Sequence, residues 1–213
     1  VIGMYLTGHP LDHYIFEQRY FNITPLSAFN EMKSSNSVMS SYKKNIRLSG
    51  YVSDAATRVS RKGNQFGILT MEDYSGKVEF MLFGDDYVRF NKYLQKGLIV
   101  MIEGVFELKR FSKVVYEFKF TRKHYLSYAM ATLPKQINLF VHPSDVSEDF
   151  ISFLTQNVQK FNGNTKLSIE LNDQLLQCRA KLETQHSQHF TMNEELAQYL
   201  QNNPKIQVMV DLN

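Results

Sequence analysis

Between residues 45 and 125, apolar and polar side chains alternate in five short runs with the period of two that half-buried β-strands require. In the first run, 46–53, Ile46, Leu48, Gly50 and Val52 share one face, and Arg47, Ser49, Tyr51 and Ser53 the other. The second run (65–73) and the third (78–83) are joined by Tyr74-Ser75-Gly76-Lys77, a hairpin in which Gly76 is expected to supply a positive φ. A helical pattern follows over 85–95, with Tyr87, Phe90, Tyr93 and Leu94 near helical spacing and Lys96-Gly97 as the stop signal. The fourth run covers 98–108 and the fifth 114–122. Gly50 suits a tightly curved strand, because a side chain in the bend would obstruct it.

On either side the texture differs. Residues 1–7 read as the end of a helix stopped by Gly8 and Pro10, and 11–20 as a short amphipathic helix. The small, polar stretch 34–41 is the best linker candidate. After Ser127 the pattern predicts a strand (136–141), a helix (144–161), a hairpin (166–171 with 175–182), a helix (193–201) and a last strand (205–212). The expected organisation is a helical segment and linker at 1–42, a barrel at 43–126 and an α+β domain at 127–213. Five strands with one helix between the third and fourth is the element order of an OB-fold β-barrel, so the fold class is mixed. The chain opens at Val1, inside an apolar helical pattern and without an initiator Met, and therefore reads as a piece of a longer protein.

Charge sharpens the picture. The formal net charge is +3, but residues 43–123 carry +7, against −1 before them and −3 after them. A positive excess confined to one domain points to a polyanionic partner for that domain. No apolar run approaches the roughly 20 residues of a membrane-crossing helix, and no signal peptide is evident. The single Cys178 forms no internal disulfide, which fits a reducing, cytoplasmic compartment.

Two basic loops carry the candidate site. Arg58, Arg61, Lys62 and Asn64 fall on the loop after the first strand; Lys109, Arg110 and Lys113 fall on the loop before the fifth. In an OB-fold these loops flank one groove, so six cations are expected to converge on one phosphate path. Phe66, Phe83, Phe111 and Tyr51 are the aromatics expected nearest that path, either stacking on bases or filling the core.

Other constellations are weaker. Asp85-Asp86 has the look of a paired-carboxylate metal site but opens a helix, where aspartates cap N–H groups and offset the dipole. His9 with His13, and His186 with His189, have metal-like spacing without a supporting Cys. Cys178 has no partner His and reads as a structural thiol. Nothing assembles a catalytic site. Gln136, Leu139 and Phe140 have the Gln-x-x-Leu-Phe form of peptides that dock into sliding clamps, but the motif is short enough to arise by chance, and the strand reading, with Ile137, Leu139 and Val141 facing a core, is the stronger.

Ile2-Gly3-Met4-Tyr5-Leu6-Thr7-Gly8-His9-Pro10-Leu11-Asp12 resembles a stretch of the bacterial replicative polymerase, the DNA polymerase III alpha subunit. Arg61-Lys62-Gly63 with Phe66, Leu69-Thr70-Met71-Glu72-Asp73, Gly76-Lys77-Val78-Glu79, Gly84-Asp85-Asp86-Tyr87 and Ile102-Glu103-Gly104 resemble that family's OB segment. The resemblance implies a non-catalytic C-terminal fragment of a DNA-directed DNA polymerase, whose Mg²⁺-dependent active site lies in a domain absent here, so no cofactor is expected in this fragment. It implies single-stranded DNA as ligand for the barrel. For the last domain it implies replisome proteins as partners, the clamp-loader tau subunit and the sliding clamp; because the family's main clamp-docking peptide lies upstream of this stretch, it favours reading Gln136 to Phe140 as strand. An RNA-binding OB module of a tRNA-charging enzyme and a pure protein-interaction module are the competing expectations.

Overall fold

The structure, a computed structural model, describes residues 8–34, 43–109, 115–173, 178–185 and 188–212. The chain divides into two compact units: residues 8–18 with Asn22–Ser127, and Arg19–Phe21 with Tyr128–Asn213.

A 3-10 turn at Pro10–Tyr14 leads into α1 (Ile15–Tyr20), whose last two residues cluster with the second unit, and α2 of the first unit spans Leu26–Ser34. The sheet comprises β1 (Ile46–Val59), β2 (Gln65–Glu72), β3 (Lys77–Phe83), β4 (Ile99–Leu108) and β5 (Tyr116–Tyr125), in the order β3-β2-β1-β4-β5. All neighbours are antiparallel. β1 runs six residues beyond the sequence expectation because it serves two partners. It pairs with β4 over Ile46–Tyr51 and with β2 from Tyr51 to Val59, and its register shifts between Val52 and Asp54. At that crossing a Cβ on Gly50 would lie 2.8 Å from the Glu72 carbonyl oxygen, closer than real contacts allow, so only glycine fits the bend.

The edge strands β3 and β5 curl toward each other, with the Phe80 ring 6.1 Å from Phe118 and 5.3 Å from Phe120. Leu48, Val52, Leu69, Val78, Leu82, Ile102 and Phe106 fill the interior. Leu26 and Phe29 of α2 join this core, Phe29 lying 4.9 Å from Phe118 edge to face. Residues 26–34 are thus part of the barrel's packing, and no alternation had marked them as such. The expected linker at 34–41 lies, apart from Ser34, outside the described residues. After β3 come α3 (Gly84–Phe90) and a 3-10 turn at Asn91–Tyr93, and Gly97 takes φ 96° at the stop.

The β2–β3 turn departs from its expected form. Gly76 has no positive φ; instead the Asp73 carboxylate organises the turn, accepting from the Ser75 N–H (2.7 Å), the Ser75 hydroxyl and the Gly76 N–H (2.9 Å). The chain's start holds this turn. The Leu26 N–H donates to Asp73 (2.8 Å), and the Tyr74 hydroxyl donates to Asp12 (2.6 Å). Asp12 also accepts the His9 N–H, while His9 Nδ1 accepts from the Leu11 N–H. These hydrogen bonds hold the Asp12 carboxyl below its usual range. The Gly8-His9-Pro10-Leu11-Asp12 stretch is therefore a structural clip, and His9 serves as a helix cap within it.

The second unit contains most of α4 (Leu126–Thr132), followed by β6 (Pro134–Val141), α5 (Glu148–Lys160), β7 (Asn162–Asp173), β8 (Cys178–Glu183), α6 (Glu194–Asn202) and β9 (Gln207–Leu212). Its sheet order is β8-β7-β6-β9, with β6 parallel to β7 across the α5 crossover and the other pairs antiparallel. Ser147 caps α5 and Asn193 caps α6, each side chain accepting an N–H three residues on. Ile137, Leu139, Phe150, Leu154, Leu167, Leu196 and Leu200 are buried.

Candidate nucleic-acid interface

Register places the barrel's outer face. Opposed residues in an antiparallel sheet point to the same side, and Arg58 pairs with Phe66, which pairs with Phe83. These three form a row across β1, β2 and β3. Their neighbours Gly67, Leu69 and Leu82 are buried, while Arg58 and Phe83 are exposed, Phe83 by 56%. The Phe66 and Phe83 rings stack at 5.0 Å with 24° between their planes. Phe83 thus presents one open face, and half-buried Phe66 backs it. The next row, Ala56, Ile68 and Met81, continues the surface with an exposed Met81, and a third, Asp54, Thr70 and Glu79, is acidic. The face therefore runs from cationic and aromatic at the β1–β2 turn to anionic at the β2–β3 turn.

Arg61, Lys62 and Asn64 sit exposed on the β1–β2 turn, which closes through Ser60 and Asn64 and uses Gly63 at φ 82°. Lys109 is exposed where β4 ends, its N–H donating to the Val115 carbonyl. It lines, together with Phe83, Met81, Asp86, Tyr116 and Lys119, a cleft of about 560 Å³ between the unpaired edges of β3 and β5. Phe83 is consequently the residue that touches both halves of the site: stacked on Phe66 beside the first loop, and sharing a cleft with Lys109 at the root of the second. Arg110, Phe111 and Lys113 lie outside the described residues. Tyr51 does not join the group, since it pairs with Glu72 at the far end of β2. Among the described residues, Arg58, Arg61, Lys62 and Lys109 pair with no carboxylate.

The cations across β1, β4 and β5 behave differently. Arg47, Glu103 and Arg122 form a row in register. Glu103 is nearly fully buried, and burial pushes its carboxyl up. The contacts from His124 (3.7 Å) and Asn45 (2.7 Å) and the charges of Arg47 (3.4 Å) and Arg122 outweigh that and hold it at about 2. Arg47 is thereby committed to a buried carboxylate inside the barrel.

Asp85 and Asp86 occupy the first turn of α3, where they offset the dipole, but the N-cap position belongs to Phe83, and no side chain caps the helix. Among the described residues no three His, Cys, Asp or Glu side chains group to hold a metal, and no helix is long and apolar enough to cross a membrane. The clamp-docking expectation needs correction. Gln136, Leu139 and Phe140 lie in β6, a strand hydrogen-bonded on both edges, with Leu139 fully buried and the Gln136 amide donating to Asn138. A strand fixed in mid-sheet has neither the free backbone nor the free side chains that a docking peptide needs.

Residues 46–121 match the profile of the OB-fold nucleic acid binding domain. DNA polymerase III subunit alpha of Pasteurella multocida is 26% identical over 207 residues, 95% of this chain and 17% of that protein. The subunit of Escherichia coli is 33% identical over 112 residues, 52% of this chain and 9% of that protein. That of Pseudomonas aeruginosa is 23% identical over 169 residues, 79% and 14%. A solved structure of a replication protein A heterotrimer bound to single-stranded DNA aligns over 81% of this chain and 47% of that one. The identity is 12% and the TM-score 0.31. The chain thus spans less than a fifth of the length of the curated relatives it matches. With an OB-fold barrel at its centre, it is similar to a segment of the alpha subunit of bacterial DNA polymerase III.

Proposed function

We propose that this chain is a non-catalytic segment of a bacterial replicative DNA polymerase, and that its barrel holds single-stranded DNA template during replication. The observation carrying this reading is the Arg58–Phe66–Phe83 row, an outward aromatic step flanked by cations that, among the described residues, no carboxylate neutralises. A base stacks on the open face of Phe83, while Arg58, Arg61, Lys62 and Lys109 contact phosphates on either side. Stacking contributes about 1–3 kcal/mol per base and tolerates any sequence. The acidic third row keeps the strand at the cationic end of the face. Polymerisation and its Mg²⁺ belong to parts of the parent protein outside this chain.

The second unit would engage replisome proteins such as a clamp loader's tau subunit. An apolar cleft of about 370 Å³ between α5 and β7–β8, lined by Phe150, Ile151, Leu154, Leu167 and Leu182, supports a protein-binding role.

Fluorescence anisotropy with labelled oligonucleotides across a salt series tests the barrel's role. Binding of unstructured DNA with a steep salt slope supports it. Preference for a structured RNA would move the barrel to the tRNA-charging class, and absence of binding at low salt would leave a protein-interaction module.

A further inference from the structure

The hairpin groove uses only part of the barrel's positive excess, and a second group of cations gathers where α3 meets the end of β5. Its cause is a bulge. Gly104 pairs with Phe120 but Glu103 pairs with Arg122, so Thr121 is an extra residue in β5. Before it, Phe118 and Phe120 turn into the barrel. After it the parity flips, and Lys123 and Tyr125 take the inward positions opposite Ile102 and Val100, both buried.

A lysine at an inward position must find its way out, and this one passes over an aromatic wall. Lys123 Nζ lies 4.8 Å from the Phe90 ring centroid, and Lys92 Nζ lies 5.1 Å from Tyr93 and 5.9 Å from Tyr125. The Tyr93 and Tyr125 rings are 4.7 Å apart and each hydroxyl is tied to a carbonyl, Tyr93 to Lys123 and Tyr125 to Lys92. Both lysine backbones are thereby pinned. Burial, then the charges of Arg89 and Lys92, push the Lys123 ammonium below its usual range, and Asp86 opposes this only in part. Among the described residues, Arg89, Lys92 and Lys123 form no salt bridge, so these three like charges sit close together with the Asp86 charge compensating only part of their repulsion.

We propose that Arg89, Lys92 and Lys123 form a second phosphate-contact site, which takes the backbone of a nucleic-acid strand after it leaves the hairpin groove. Continuity favours this occupant: Asp86 lines the cleft that holds Phe83 and Lys109, and its charge also reaches Lys123. The site rests on the reading of the barrel as a nucleic-acid binder and lengthens its footprint.

Salt-series anisotropy on the 213-residue chain with oligothymidylates of about 6 and about 20 nucleotides tests it, since one OB fold covers about 4–16. The exposed pair Arg89→Gln/Lys92→Gln should lower the salt slope for the long strand by about 1.4 and leave the short strand unchanged. Adding Lys123→Met, which keeps the stem over Phe90, should remove about 0.7 more. A control, Lys135→Gln/Lys166→Gln in the other unit, removes the same charge and should change neither. An unchanged slope for both lengths, or an equal drop for both, overturns the second site while the groove stands or falls by its own variants. If the unsubstituted chain binds neither strand at low salt, the barrel's role fails, and this site with it.

Discussion

The two units treat their cations in opposite ways. In the second, four of the six lysines and arginines after residue 124 pair with carboxylates: Lys160 with Glu195, Arg179 with Glu170, Lys181 with Glu183, and Lys205 with Asp145. In the barrel, Arg58, Arg61, Lys62, Arg89, Lys92, Lys109 and Lys123 have no such partner among the described residues, whereas Arg47 pairs with Glu103 and Lys119 with Glu117. Net charge alone would rank the units as mildly basic and mildly acidic. Pairing shows more, because an internally neutralised cation has little left for a ligand. A polyanion gains most where the protein has left phosphate-spaced charges to be met from outside.

That contrast can be broken in order of size. Removing Arg58, Arg61, Lys62 and Lys109 together by alanine should flatten the salt slope for single-stranded DNA by about 2.8 and weaken binding by about two to three orders of magnitude near 0.1 M salt. Thermal stability should hold, and a slope that does not move would refute the groove. Leu139→Ala should do the reverse. It should destabilise the second unit by about 3 kcal/mol, read by denaturant unfolding, and leave oligonucleotide affinity alone. A residue that served only to dock a clamp would leave both stability and oligonucleotide affinity unchanged.

Glu103 tests the paired part of the barrel. Its folded carboxyl, at about 2, lies below the ordinary 4.5, so its contribution is full above pH 4.5 and is lost as pH falls toward about 2. Glu103→Gln should therefore cost about 2 kcal/mol of stability at pH 7, with the gap to the unsubstituted chain closing between pH 4.5 and 2. A gap that persists at pH 2 would assign the cost to packing instead of charge. Phe83→Ala should weaken binding by about 1.5 kcal/mol for every base composition without unfolding the barrel, since its ring is more than half exposed. Last, Lys205→Gln breaks an exposed pair in the second unit and should cost about 0.5 kcal/mol of stability and nothing in DNA binding. A clear loss of affinity there would mean that pairing does not separate the two surfaces.

Much of the architecture was legible along the chain, because alternation is a local property. The five barrel strands, the helix between the third and fourth, and the strand–helix alternation after Ser127 all follow from periods of two and 3.6 that neighbouring residues set among themselves. Gly50 was legible for the same reason: the bend lies inside one strand. The charge excess and the first basic turn needed only counting.

Side choice was another matter. Alternation separates Phe66 and Phe83 from Leu69 and Leu82 but does not say which set faces the core, since phenylalanine suits either. Closure of the sheet put Leu69 and Leu82 inside and left Phe83 in solvent. Gln136 to Phe140 could be peptide or strand until β7 and β9 took its two edges. The bulge at Thr121, the inward Lys123 and the entry of Phe29 into the barrel core each depend on residues tens of positions apart meeting in space. Local rules act between near neighbours, whereas burial, pairing partners and counterions come from distant ones, and only the folded chain brings those together.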